Sequence, residues 1–114
     1  MRKRAQYLAV YQSGKSCGDR IIQVRSLPNG LGLSRCGFSV TKSLGKAVTR
    51  NRVRRLLKEI VRLTPIKEGW DIVFVARPAV VAVDYDELKR SVDKLLARAD
   101  LLRDKDEMVG TRVN

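Results

Sequence analysis

The sequence contains no histidine, and Cys17 and Cys36 are its only cysteines among 114 residues. The lack of histidine excludes the usual zinc sites and every catalytic triad or dyad that uses an imidazole. The two cysteines stand outside any CxxC pair, so they do not indicate a disulfide framework. Alternation of Cys36 with Phe38 and Val40 predicts that Cys36 is a small core residue, whereas Cys17 is predicted to be a loop thiol.

Long apolar runs are missing as well. No stretch approaches the ~18–20 apolar residues that a transmembrane helix needs. The amino-terminal MRKRAQYLAV carries charges but lacks the apolar core of a secretion signal. These absences predict a cytoplasmic protein with no membrane partner. The length suits one domain with one core, so we expect residues 1–114 to form a single domain, with a basic tail at 1–4 and a flexible end at about 104–114.

Acidic residues are scarce in the first half of the chain. Of the 12 Asp and Glu residues only Asp19 and Glu59 precede residue 63, whereas 15 of the 24 Lys and Arg residues do. The formal net charge of the chain is +12. Such a one-sided surface predicts a polyanionic partner, RNA or DNA, for residues 1–62, while residues 63–114 mainly complete the fold.

The basic residues are densest in the segment LGKAVTRNRVRRLLKEIVR, from Leu44 to Arg62. On a helical wheel of about 100° per residue, its aliphatic side chains gather on one side and its polar and basic ones on the other. The aliphatic set is Val53, Leu56, Leu57, Ile60 and Val61, and the opposite set is Asn51, Arg55, Lys58 and Arg62 with Arg54 beside it. One face is therefore predicted to pack on a core and the other to meet phosphate. A merely solvated basic helix and a helix lying on anionic membrane are the alternatives.

Shorter patterns predict the remaining elements. Residues 5–13 form a helix that Gly14 ends with a left-handed cap, and this helix carries Tyr7 and Tyr11 on one face, as core packing or as a platform for bases. The other elements are a strand at 21–27, a Pro-Asn-Gly turn, a return strand at 34–41, a buried central strand at 71–76 and a helix capped by Asp84 with Glu87. We expect room for one further short strand near residues 40–44. The order predicts an α+β sandwich, one sheet with helices packed on it.

The segment from Gly37 to Arg62 resembles the signature of the bacterial ribonuclease P protein component. That family's pattern is roughly G-[FL]-S-V-[ST]-K, then G-x-A-V, then R-N-R leading into R-L-[LI]-[KR]-E. In this chain the motifs read Gly37-Phe38-Ser39-Val40-Thr41-Lys42, Gly45-Lys46-Ala47-Val48, Arg50-Asn51-Arg52 and Arg55-Leu56-Leu57-Lys58-Glu59. The resemblance extends over nearly the whole domain, including the helix of Tyr7 and Tyr11 and the Ala76-Arg77-Pro78 strand end.

The resemblance implies an αβββαβα two-layer sandwich, the ribosomal protein S5 domain 2-like fold, with a left-handed βαβ crossover. It also implies that the chain is the protein subunit of ribonuclease P, which is an accessory subunit of an endoribonuclease. Its partners would be the catalytic RNA, one copy per protein, and precursor tRNA. The RNA, with Mg²⁺ that it mainly binds itself, would remove the 5′ leader in making the mature tRNA end.

The resemblance also implies two binding surfaces. The surface for the catalytic RNA comprises Lys46, Arg50, Asn51, Arg52, Arg54, Arg55, Lys58 and Arg62. The cleft for the single-stranded leader comprises Tyr7, Tyr11, Val24, Ser39, Thr41 and Lys42. The chain departs from the family at Arg25, where an aromatic residue is usual, and at Ser43, where lysine is common, so its leader preference stays open.

The residues themselves support this division of labour between protein and RNA. Hydrolysis of a phosphodiester by two metal ions needs clustered carboxylates, and the basic half offers only Asp19 and Glu59, which lie far apart in sequence. We therefore predict no catalytic residue and no metal ligand in the protein. A structural RNA-binding protein, such as a ribosomal component, fits size and charge equally well, while a DNA-binding regulator lacks a second helix at helix-turn-helix spacing.

Overall fold

The computed structural model describes residues 1 and 3–103, and there three α-helices pack on one four-stranded sheet. The elements are α1 (Arg4–Ser13), β1 (Lys15–Gly18), β2 (Ile22–Pro28), β3 (Arg35–Ser39), α2 (Ala47–Arg62), β4 (Trp70–Ala76) and α3 (Tyr85–Arg98). Short 3₁₀ turns cover Lys42–Leu44 and Pro78–Ala82. The order αβββαβα confirms the predicted α+β sandwich. The predicted flexible end at about 104–114 lies outside the described residues, and so does Arg2 of the predicted basic tail.

The strand β4 lies at the centre of the sheet, whose order is β1-β2-β4-β3. It pairs antiparallel with β2 and parallel with β3, which confirms the prediction of a central strand from its uninterrupted apolar run. The return strand of the sequence pattern, β3, does not pair with β2, because β4 is inserted between them. The parallel pair of β3 and β4, with α2 between them in the chain, is the βαβ unit that the resemblance implies.

The additional strand is not where the sequence pattern suggested it. Residues 42–44 form a 3₁₀ turn that buries Leu44 and ends at Gly45, whose φ of 126° excludes most other residues. The fourth strand is instead β1, an edge strand paired antiparallel with β2. Cys17 therefore lies in a strand opposite Val24 and not in a loop.

The glycine that ends α1 is required for a different reason from the predicted one. Gly14 has φ −77° and ψ 156°, an extended conformation and not a left-handed cap. A Cβ atom there would clash with the carbonyl oxygen of Val10 and would lie 2.8 Å from that of Ser26. Close approach of the helix end to β2 excludes any side chain at this position.

The two faces of the sheet carry different layers. Alternation along β2 and β4 turns Ile22, Val24, Ile72 and Phe74 toward α2 and α3, where they form the main core. The opposite face is covered by α1, whose Val10 is buried. Because α1 covers that face only in part, polar strand residues remain accessible beside it.

The two long helices meet the core as predicted. The side chains of Val53, Leu57 and Ile60 on α2 are buried, which confirms the inward face of the wheel. On α3, Asp84 accepts a hydrogen bond from the backbone N–H of Glu87 at 2.9 Å, which confirms the predicted cap. Within residues 1 and 3–103, no helix is both long and apolar enough to cross a membrane.

Candidate nucleic-acid interface

The outer face of α2 carries a dense set of cations, most of which have no acidic partner in the described part of the chain. The core-facing side chains fix the rotation of the helix, so Asn51, Arg55 and Lys58 point to solvent. No ion pair among the described residues includes Lys46, Arg50, Arg52, Arg54, Arg55 or Lys58. Like charges on one helix face repel one another when the described residues offer them no counter-charge, which makes this face a candidate surface for a polyanion.

A shallow groove of about 490 Å³ runs along this face of α2. It is lined by Val48, Asn51, Arg54, Arg55 and Lys58. The Nη1 atom of Arg54 donates to the Oδ1 atom of Asn51 at 3.1 Å, which leaves the amide group of Asn51 free to donate outward. The groove therefore offers forked guanidinium groups for phosphate and an amide for a base edge or a 2′-hydroxyl.

Two of the predicted RNA-binding residues differ from the rest in their surroundings. Arg62 forms an ion pair with Glu59 at 2.8 Å, so part of its charge is already balanced, and the bonds from Arg62 lower the pKa of Glu59. Arg50 is half-buried, and its Nε atom is enclosed without a hydrogen-bond partner among the described residues. Arg52, by contrast, is exposed.

A second candidate surface lies where α1 crosses the strands on the opposite face. The ring of Tyr7 lies directly on Gly37 of β3, where an added Cβ would come within 2.5 Å of the hydroxyl oxygen and 2.7 Å of Cζ. The hydroxyl of Tyr7 donates to the carbonyl oxygen of Met1 at 3.2 Å. The lack of a side chain at Gly37 thus allows the hydroxyl end of the Tyr7 ring to approach the strand closely.

The second tyrosine of α1 is paired with Arg25 of β2. The Arg25 guanidinium carbon lies 5.0 Å from the centre of the Tyr11 ring, and its Nη2 atom donates to the Tyr11 carbonyl oxygen at 2.8 Å. One face of this ring is therefore occupied by a cation. Arg25, at which the chain was expected to depart from the family pattern, thus forms a cation–π contact with Tyr11.

The structure places the other predicted cleft residues in two different environments. Ser39 alternates with Gly37 on the α1 face, and Thr41 and Lys42 are exposed just beyond the end of β3. Val24 was predicted to line the cleft, and this is wrong. Its side chain points to the opposite face and is only 1% exposed in the core, so it cannot touch a ligand beside α1. Its neighbour Arg25 occupies the α1 face instead.

Two observations on the described residues concern metal binding and the reactivity of a cysteine. Within residues 1 and 3–103, no three side chains of the histidine, cysteine or carboxylate type are grouped so that they could hold a metal ion. Burial raises the pKa of the Cys36 thiol to about 11, so this cysteine is not a thiolate nucleophile at neutral pH.

Sequence reasoning missed two features of this region. The contact of Arg25 with Tyr11 joins residues 14 positions apart and depends on how α1 lies across the sheet. The close contact at Gly37 could have been predicted from the sequence, since a glycine inside a strand often marks a close approach of another group. The two surfaces lie on different sides of the molecule, because α1 and α2 cover opposite faces of the sheet.

Comparison with known proteins gives a consistent result over almost the full chain. The family model described as Ribonuclease P matches residues 1–100. The ribonuclease P protein component of Caldanaerobacter subterraneus subsp. tengcongensis is 42% identical over 108 residues, with 93% of each chain covered. That of Dehalococcoides mccartyi is 39% identical over 114 residues, covering 100% of this chain and 95% of the relative.

Solved structures agree with the sequence comparison. The RNase P protein of Staphylococcus aureus superposes with a TM-score of 0.82 at 28% identity, covering 90% of this chain and 96% of that one. The RNase P protein of Thermotoga maritima gives a TM-score of 0.77 at 31% identity, with 86% and 94% covered.

Proposed function

This chain belongs to the ribonuclease P protein component family, and from that membership we propose the specific task that its two surfaces perform. Membership implies an accessory subunit of a tRNA-processing endoribonuclease that partners with ribonuclease P RNA. In our proposal the outer face of α2 binds the catalytic RNA, one protein per RNA. The cleft beside α1 binds the 5′ leader of precursor tRNA.

The observation that carries the proposal is the unpaired charge on α2. Six cations lack an ion-pair partner among the described residues, although the same structure pairs cations on α3 and on the loops: Arg50, Arg52, Arg54, Arg55 and Lys58 of α2, and Lys46 just before it. A face used only for solubility would mix both signs of charge. Each guanidinium group can donate two hydrogen bonds to one phosphate, so arginines at helical spacing suit the phosphates of a folded RNA.

The leader cleft is supported by the position of α1 on the sheet. Tyr7 packs on β3 and Tyr11 on β2, so a strand of RNA between them would pass Ser39 and the exposed Lys42. Bases of an unpaired leader would stack on the free side of the Tyr7 ring, and Arg25 over Tyr11 would meet phosphate or a base plane. Single-stranded RNA suits this cleft because its bases are not already stacked.

We assign the bond cleavage to the RNA and not to protein side chains. Mg²⁺ supplies the polarisation of phosphate and the activation of water in the holoenzyme, and we place its ligands on the RNA. The protein residues bind, orient and neutralise charge. Their effect is largest at low magnesium concentration, when the RNA has fewer counterions of its own.

The RNA-binding part is tested by comparing an unpaired with a paired arginine on the same helix. Arg55→Ala should weaken binding to ribonuclease P RNA and reduce the slope of log K against log salt by about one. Arg62→Ala with Glu59→Ala, the matched control, removes an ion pair without changing the net charge and should change both much less. Equal effects of the two variants in filter-binding titrations would refute the assignment of the outer face of α2.

The leader part is tested with two substrates. Tyr7→Ala should weaken holoenzyme binding to precursor tRNA about fivefold or more, since stacking on an aromatic ring contributes ~1–3 kcal/mol per base. Binding to mature tRNA, which lacks the leader, should not change. Equal losses on both substrates would show that Tyr7 acts on the fold or on the RNA and not on the leader.

A further inference from the structure

A cavity of about 440 Å³ opens on the face of the sheet opposite α1, beyond the end of α3. Its floor is formed by Cys17 of β1 and by Val24 and Ser26 of β2. Lys15, Trp70 and Arg98 stand around it. The cavity is separate from both surfaces described above, since α1 lies behind the sheet and the groove on α2 shares none of its lining residues.

The lining combines three kinds of group that together favour one class of ligand. Trp70 supplies an aromatic surface, the floor supplies apolar atoms with the hydroxyl of Ser26, and Lys15 and Arg98 supply positive charge. Neither cation has an ion-pair partner among the residues that the structure describes. Asp100 is also at the rim, but it pairs with Lys67 at 3.0 Å, so it does not neutralise them.

We propose that this cavity binds one nucleotide, with its base against Trp70 and its phosphate between Lys15 and Arg98. An apolar ligand would not use the two cations, and an inorganic anion would not use the aromatic wall. A nucleotide uses both, because a base has a flat π-face and a phosphate accepts from both cations. The volume lies within the range of small-ligand pockets. The source of the nucleotide is a single RNA strand or a free nucleotide.

The single tryptophan of the chain makes the proposal directly measurable. We would titrate the full chain at low salt with AMP and, separately, with pentaadenylate, and follow the fluorescence of Trp70. A base stacked on the indole should quench its emission in a saturable way. Quenching by pentaadenylate alone identifies an RNA strand as the ligand, and quenching by AMP as well identifies a site for a free nucleotide. Quenching by neither overturns the proposal.

Variants separate this site from general attraction to a basic protein. Lys15→Ala with Arg98→Ala should raise the Kd for the quenching ligand about tenfold, because both phosphate partners are removed. Arg90→Ala with Lys94→Ala removes the same charge from α3 outside the cavity and should leave the Kd within about twofold. If the two double variants weaken quenching equally, or if Arg55→Ala abolishes it, the cavity is not the binding site. Fluorescence quenching does not depend on ribonuclease P activity, so the nucleotide site can be refuted while the proposed function holds.

Discussion

Asp71 is one of three buried polar or charged residues in the described part of the chain, with only 5% of its surface exposed. It accepts hydrogen bonds from Nε and Nη2 of Arg35 at 2.8 and 2.7 Å, and from the amide of Asn29 at 3.0 Å. The bonds from Arg35 hold the pKa of Asp71 below its ordinary value. The network ties the start of β3 to β4 and to the loop after β2, beside the surface on which α1 lies.

The lowered pKa gives a defined pH dependence of stability. An unfolded aspartate titrates near ~3.9, and the folded pKa is lower, so the contribution of Asp71 is present above about pH 4. It is lost as the pH falls through the folded pKa. We expect Asp71→Asn to lower the free energy of unfolding by about 1–3 kcal/mol at neutral pH, because Arg35 loses its charged acceptor. Urea unfolding from pH 7 down to pH 3 should show the two proteins converging.

Asp100→Asn is the matched control for this measurement. Asp100 also pairs with a cation, Lys67, but 90% of its side chain is exposed, so the change should be within about 0.5 kcal/mol. A constant difference between wild type and Asp71→Asn across the pH range would contradict an electrostatic role for Asp71.

At the scale of elements, the lie of α1 on the sheet depends on Gly37 and Tyr7. Because a Cβ at position 37 would come within 2.5 Å of the Tyr7 hydroxyl oxygen, Gly37→Ala must push the ring off β3. The ring belongs to a side chain that can swing toward solvent, so we expect a loss of about 1–3 kcal/mol and not a failure to fold.

A double-mutant cycle tests this contact between the two elements. In a Tyr7→Ala background the ring is absent, so Gly37→Ala should cost little further stability, and the two changes should be non-additive by at least about 0.5 kcal/mol. Thermal or urea unfolding gives the free energy of unfolding of the wild type, the two single variants and the double variant. Additive losses would mean that the helix and the strand do not meet through this ring.

Elements were predictable where their own residues carried the pattern. The inward face of α2, the cap of α3 and the central position of β4 follow from periodicity and from an uninterrupted apolar run, and all are found. The strand β1 was missed because Lys-Ser-Cys-Gly has neither alternation nor β-branched residues, and its pairing comes entirely from β2. The insertion of β4 between β2 and β3 is set by tertiary packing, which no local pattern records.

The candidate sites show the same limit. The cationic face of α2 could be read from helical spacing because all its residues lie on one element. The pairing of Arg25 with Tyr11 and the burial of Val24 depend on which face of the sheet α1 covers, and the cavity around Trp70 joins β1, β2, β4 and the end of α3. Sites built from several elements appear only when the fold is known.

At the scale of the molecule, the chain carries a net charge of +12 with the excess in its first half. Self-repulsion on the face of α2 should lower the stability of the protein without RNA, and bound anions should restore it. We expect sulfate to raise the Tm by about 5 °C or more relative to sodium chloride of equal ionic strength.

Sulfate also stabilises proteins in general by exclusion from their surface, so the control is a variant and not the salt alone. Arg55→Ala with Lys58→Ala removes two cations that have no ion-pair partner among the described residues. The rise in Tm caused by sulfate should therefore become smaller, and only the stabilisation by surface exclusion should remain. A Tm that responds equally in wild type and variant would contradict anion binding at α2.

The central claim, that this protein assists an RNA in removing the 5′ leader through the outer face of α2, is tested most directly by a cleavage assay. Purified protein would be added to bacterial ribonuclease P RNA with precursor tRNA at low magnesium, and 5′-leader removal would be measured. The comparison is with the Arg52→Ala, Arg55→Ala double variant, since both side chains are exposed and neither is part of the core. We predict strong stimulation by the wild type and its loss in the folded variant. No stimulation by the folded wild type, or equal stimulation by both proteins, would contradict the account.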